Sequence, residues 1–194
     1  MRATLLALAA LLAACSGGGG ASGGGSGGDG CTPVKTPPDL VQNGSFDCGA
    51  STPDNWGARD GTLAFTTDAH GGGKAALLTV PATGQGTLLY KPDVATSLGS
   101  QTFCGTIWVK GTAPDVKLIL RKVFNGSVED RTFSSPVTQT WTRVPPNLVL
   151  DAPGGNATKL LLLVQTVTAK SGDTLLVDDA DVWASATGDC KDAR

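Results

Sequence analysis

The chain has 194 residues, 15 Lys plus Arg against 17 Asp plus Glu, and a formal net charge of -2. Its longest basic run is Arg121-Lys122, which excludes the basic stripe that a nucleic-acid backbone reader needs. Ten of the 27 glycines lie between Gly17 and Gly30, so the residues after 30 are what remains to build one folded domain.

Residues 1–14 place Arg2 ahead of an apolar run from Leu5 to Ala14. That run is too short to cross a bilayer as a helix and has the pattern of an export signal. Leu12-Ala13-Ala14-Cys15 resembles the lipobox of bacterial lipoproteins. The resemblance implies cleavage before Cys15 and a lipidated, palmitate-bearing Cys15 that holds the protein to a membrane. Ser16 after the cysteine implies delivery to the outer membrane, with the domain periplasmic or surface-exposed. From Ser16 to Gly30 only Gly, Ser, Ala and Asp occur, a flexible tether of roughly 20 Å root-mean-square span. The expected organisation is therefore a signal over 1–14, an acylated Cys and tether over 15–30, and a folded domain over 31–190.

After Pro37 and Pro38 short apolar or alternating runs follow one another, separated by Gly, Pro, Asn and Asp. The first predicted strands are Leu63–Thr67, Ala75–Val80 and Thr87–Tyr90. Thr102–Lys110 alternates so that Phe103, Gly105, Ile107 and Val109 share one face while Cys104, Thr106, Trp108 and Lys110 share the other. Val116–Phe124 does the same, with Val116, Leu118 and Leu120 opposite Lys117 and Arg121. Val128–Phe133, Trp141–Leu150, Lys159–Thr168 and Thr174–Ala184 complete the set. The continuous run Leu160–Val164 reads as a strand covered on both faces, because the β-branched residues after it and the Gly155 and Gly172 boundaries oppose a helix. Half-apolar sheets must bury one face, so the fold class is all-β, a two-sheet β-sandwich.

With Cys15 assigned to lipid, Cys31, Cys48, Cys104 and Cys190 remain, an even number in an exported chain, which points to two disulfide bonds. Domain ends commonly lie close together, which favours Cys31 with Cys190 and Cys48 with Cys104 among the three connectivities. No CxxC pair supports thiolate-bound zinc.

Leu40-Val41-Gln42-Asn43-Gly44-Ser45-Phe46-Asp47 followed by Trp56 resembles the opening of carbohydrate-binding jelly rolls of the family-4/9/22 type. Gln85–Tyr90, Gly99–Lys110, Trp141-Thr142-Arg143-Val144 and Leu175–Val182 resemble its later signatures in the same order. The resemblance implies a jelly-roll sandwich over about residues 40–189 and a structural calcium ion near the first and last strands. By resemblance its ligands are Asp47 and Asp179, with Asn43 and Ser45 as local additions. On a regular strand Asp178 and Asp179 face opposite ways, so only one of them reaches the ion.

Sugar binding needs an aromatic platform with polar side chains around it. The candidates are Trp108, Trp141, Tyr90, Arg121, Gln139 and Gln165, whereas Trp56 and Trp183 read as core. Catalysis is not expected. Glu129 is the only Glu and His70, before Gly71-Gly72-Gly73, the only His; Asp68 with His70 reads as a chance pair. No G-x-S-x-G elbow is present, and diverging Asp178 and Asp179 do not make an acid–base pair. The function expected is noncatalytic binding of a polysaccharide or cell-wall glycan by a monomeric, membrane-tethered module. The alternative is a structural or adhesive sandwich that makes protein contacts without sugar.

Overall fold

The computed structural model describes residues 38–151, 156–185, 187–188 and 190. The expectations for the leader, Cys15, the tether and Cys31 lie outside the described residues. Eleven strands form: β1 (Trp56–Asp60), β2 (Thr62–Thr66), β3 (Ala75–Thr79), β4 (Gly86–Tyr90), β5 (Ala95–Thr96), β6 (Thr102–Gly111), β7 (Asp115–Phe124), β8 (Ser127–Pro136), β9 (Thr142–Asp151), β10 (Lys159–Thr166) and β11 (Thr174–Ser185). One sheet runs β1-β4-β10-β7-β8 with β5 beside β10, and the other runs β2-β3-β11-β6-β9. All pairings are antiparallel. The two sheets pack face to face as the expected sandwich.

The alternation read from the sequence is the one that is buried. Phe103, Ile107 and Val109 of β6, Val116, Leu118 and Leu120 of β7, and Leu160, Leu162 and Val164 of β10 all join one core cluster. Lys159–Thr166 is central in its sheet, between β4 and β7. This explains its unbroken apolar run, for Leu163 on the outer face is also buried. Two short strands carry little alternation and were not expected: β1, which begins at Trp56, and the two-residue β5.

The opening segment joins both sheets without being a strand itself. Leu40 N donates to Val182 O at 2.7 Å and Ala180 N donates to Gly44 O at 2.9 Å, so the first and last segments lie side by side. A side chain at Gly44 would strike the Ala180 carbonyl oxygen, which accounts for a glycine there. Phe46 and Trp56 pack with ring centroids 4.8 Å apart, and Trp56 meets Tyr90 edge-on at 5.3 Å. Trp56 Nε1 donates to Asn43 O, and Gln42 N donates to Tyr90 Oη. Each buried aromatic therefore has a partner for its polar end.

The expected pairing of Cys31 with Cys190 and Cys48 with Cys104 is corrected. Cys104 is bonded to Cys190, with Cα atoms 5.7 Å apart. The physical reason is the side of the sheet: Cys104 faces outward from β6 beside Trp183 of β11, and Cys190 joins both in a small buried cluster. Cys48 is disulfide-bonded as well. With Cys104 and Cys190 joined to each other, its partner is not among the described residues.

Asp39 accepts hydrogen bonds from Val41 N and Val182 N. Burial, and then the hydrogen-bonded Asp181 carboxyl, push Asp39 up to about 7. The folded chain thus keeps a proton that the unfolded chain releases near 3.8. The stability this contributes is complete below that value and is lost as pH rises through about 7. Thermal melts are expected to show Tm falling from about pH 4 to about pH 7 and levelling above that, and Asp39→Asn should flatten that fall; an unchanged slope would remove Asp39 as its origin. A non-reducing digest should yield the joined Cys104 and Cys190 peptides, and replacing both cysteines by Ala should cost about 2–4 kcal/mol in denaturant melts.

Candidate functional site

The outer face of the β2-β3-β11-β6-β9 sheet carries the aromatic residues. Since Val144 of β9 is buried in the core, Trp141 and Arg143, at odd positions beside it, face outward. Trp108 of β6 is registered opposite Arg143 of β9 and Asp178 of β11. Residues 67–74, the β2–β3 connection, cross this face. His70 from that connection stacks on Trp108, ring centroids 3.7 Å apart and 14° from parallel, and meets Trp141 edge-on at 6.0 Å.

Electrostatics hold the connection in place. His70 N and Gly71 N donate to Asp178 Oδ2 at 2.7 and 3.3 Å, and Asp179 N donates to Asp178 Oδ1 at 2.8 Å. His70 Nδ1 lies 2.8 Å from Asp179 Oδ2, and because a carboxylate only accepts, the proton belongs on Nδ1. Gly73 N and Lys74 N donate to Asp47 Oδ1. Lys110 Nζ pairs with Asp68 Oδ2 at 2.6 Å and holds the Asp68 carboxyl below its usual range. Burial pushes Asp178 up to about 6, with the backbone donors opposing it.

The expected divergence of Asp178 and Asp179 is corrected. A β-bulge interrupts the β11–β6 register between Asp178 and Asp181, and Asp179 takes a positive φ of 43°. The local turn of the chain aims both carboxylates at the same connection, which a regular strand does not do.

The proposed ligand residues separate. Trp108 and Trp141 come together as described, each half-buried. Tyr90 does not join them: it is 4% exposed in the core, held there by its contact with Trp56 and its hydrogen bond from Gln42. Arg121 and Gln165 lie on the other sheet, in β7 and β10. There Arg121 makes a two-pronged pair with Asp130, and Gln165 Nε2 donates to Thr87 Oγ1. Gln139 is exposed in the β8–β9 turn. Trp56 and Trp183 are buried as expected.

Sequence reasoning missed His70 and Arg143. Arg143 was legible as the outward neighbour of Val144, two residues from Trp141. His70 carried no such signal, because only the fold lays its connection over Trp108. Arg143 Nη2 is buried with no hydrogen-bond partner, and the guanidinium forms no ion pair among the described residues. Trp141 Nε1 is also buried without a hydrogen-bond partner; it lies near enough to Asp68 to lower that carboxyl slightly without the geometry of a bond.

Asp47 and Asp179 both reach the Gly71-Gly72 backbone: a Cβ at Gly71 would meet Asp179 Oδ2 at 2.6 Å, and one at Gly72 would meet Asp47 Oδ2 at 2.8 Å. The juxtaposition expected for calcium is present, but the chain's own N–H groups occupy the carboxylates. Asn43 is committed elsewhere, its Oδ1 accepting from Cys48 N and its Nδ2 donating to Cys48 O and Asp54 O. Ser45 is half-buried. No group of three or more His, Cys, Asp or Glu side chains among the described residues is arranged to hold a metal ion. A hard cation needs six or more converging oxygens, and in this arrangement the Asp47 and Asp179 carboxylates are taken by N–H donors of the His70 connection.

The two-sheet antiparallel β-sandwich is a fold this chain shares with solved carbohydrate-binding modules. Family 16 carbohydrate-binding module 2 is similar to it with a TM-score of 0.60 and 18% identity, over 75% of this chain and 99% of that one. The CBM22-1 xylan-binding domain from Paenibacillus barcinonensis Xyn10C gives 0.53 and 20%, over 72% and 90%. The enzymatically active domain of bacteriophage CBA120 tailspike protein 4 gives 0.61 and 16%, over 76% of this chain but 21% of that one. No protein-family model matches the sequence, and no curated protein matches it.

Two measurements test the clasp. A chelator should leave Tm unchanged, whereas a clear drop would return calcium to Asp47 and Asp179. Asp178→Ala strands the amides of His70, Gly71 and Asp179 and should cost about 1–3 kcal/mol, read by denaturant unfolding.

Proposed function

We propose that this domain is a noncatalytic polysaccharide-binding module, carried on a lipid-anchored tether from Cys15 and held at the outer membrane facing the periplasm or the cell exterior. The observation that carries the reading is the gathering of His70, Trp108 and Trp141 on one outer sheet face beside two buried N–H groups without partners. Pyranose rings pack their apolar faces on such rings, and their hydroxyl oxygens accept from such donors. The reading includes no catalysis, because the carboxylates beside the platform are engaged by donors from the fold. Tethering raises the local concentration of the module at a surface, so weak intrinsic affinity suffices.

One observation favours the alternative of a protein-contact sandwich: His70 already covers one face of Trp108. The two readings separate on a glycan array probed with the full chain. Binding to at least one polysaccharide is expected, with Trp141→Ala weakening it by at least about tenfold, or about 1.4 kcal/mol, at unchanged Tm. Silence across plant, fungal and bacterial glycans would favour the protein-contact reading.

A further inference from the structure

The charges around the platform are unevenly satisfied. Lys110 from β6 is paired with Asp68 of the β2–β3 connection. Asp178 from β11 accepts three backbone N–H groups, and Asp179 faces His70. Arg143 from β9 differs: its guanidinium forms no ion pair among the described residues, and its Nη2 is buried without a hydrogen-bond partner. Arg143 as a whole is half-buried, and enclosing one of its N–H groups without an acceptor is costly. The position is also specific, for Arg143 stands opposite Trp108 in the β6–β9 register and two residues from Trp141 on the same face.

A guanidinium presents its donors as a planar fork that matches a carboxylate and makes shorter, stronger bonds to it than to a neutral hydroxyl. In a sugar polymer, the unit that combines a ring able to stack with a carboxylate fixed to that ring is a uronic acid. Of the neighbouring aspartates, Asp68 is paired with the Lys110 ammonium and Asp179 faces the His70 imidazole, and Asp178 is turned to the backbone N–H groups of the His70 connection. We propose that the ligand of this site is an acidic glycan built of uronic acid units, its ring packed against Trp141 and His70 and its carboxylate taken by Arg143. This rests on the polysaccharide-binding reading and narrows its substrate class.

The test is isothermal titration of the full chain with sodium polygalacturonate, alginate and a glucuronic acid polymer. Each is compared with the same polymer after carboxyl reduction, with EDTA present so that calcium does not cross-link the chains. At least one acidic polymer should bind about tenfold or more tightly than its reduced, neutral counterpart. Arg143→Gln should abolish that preference while weaker binding of the neutral form persists, and Arg143→Lys should restore part of it. Equal binding of acidic and reduced polymers, lost on Trp141→Ala, would overturn the acidic-ligand proposal and leave the polysaccharide reading standing. A preference unchanged in Arg143→Gln would likewise overturn the role given to Arg143. No binding to any polymer, acidic, reduced or neutral, would overturn both. Tm is measured for each variant, and if Arg143→Gln fails to fold, Arg143→Lys against wild type still decides, because a preference unaffected by exchanging the planar fork for a point charge would count against the proposal.

Discussion

The irregularity in β11 between Asp178 and Asp181 is the constraint on which the rest of the domain depends. A regular strand would send Asp178 and Asp179 to opposite faces. The bulge, with Asp179 at positive φ, lets both reach the β2–β3 connection. It also leaves Ala180 N free of the β6 ladder, and that group bonds Gly44 O instead. One local departure therefore fastens the opening segment to one side of β11 and the His70 connection to the other. Without it, only one of the two carboxylates that hold His70 over Trp108 would face the connection.

The two outer faces of the sandwich follow from this asymmetry. On the β1-β4-β10-β7-β8 sheet the polar groups are paired among themselves, Arg121 with Asp130 and Gln165 with Thr87. Around them lie the aliphatic residues Leu161, Leu163 and Ile119. Of these, Ile119 and Leu163 are buried, so this face offers a ligand little open apolar area. The β2-β3-β11-β6-β9 sheet bears the aromatic cluster, and farther along it the disulfide-covered Trp183. Indole and imidazole rings offer a flat face and, at their edges, N–H donors.

Most of the architecture was legible because burial at period two is a strong constraint. Phe103, Ile107 and Val109 cannot share a face with Trp108 and Lys110 in any strand that has one buried side, so both the strand and its facing were readable. Trp56–Asp60 was not, because after its first residue the strand carries Gly, Ala, Arg and Asp and is defined by pairing with β4. The site was half legible for the same reason. Alternation marked Trp108 as outward, and Val144 implied that Trp141 and Arg143 face the same way. Tyr90 was misjudged because its phenol shares a strand pattern with surface tyrosines, and the hydrogen bond from Gln42 that holds it inside comes from a segment 48 residues away. The placing of His70 and the joining of Cys104 to Cys190 are likewise contacts between distant segments, and no local spacing encodes them.

What separates a binding face from a merely well-packed one is the difference between donors that are used and donors that are not. Along the His70 connection every carboxylate has been met by an amide, an ammonium or an imidazole, so those groups serve to hold the loop and have little left for a ligand. Arg143 and Trp141, at the margin of the same patch, keep N–H groups that the fold leaves without acceptors. A protein that needed this face only for stability would do better with apolar side chains at both positions, since an unused buried donor lowers stability. That cost is intelligible where an outside oxygen acceptor completes the arrangement. On the proposed reading the clasp also serves recognition, because it fixes His70 on Trp108 beforehand and leaves little ordering to be done on binding.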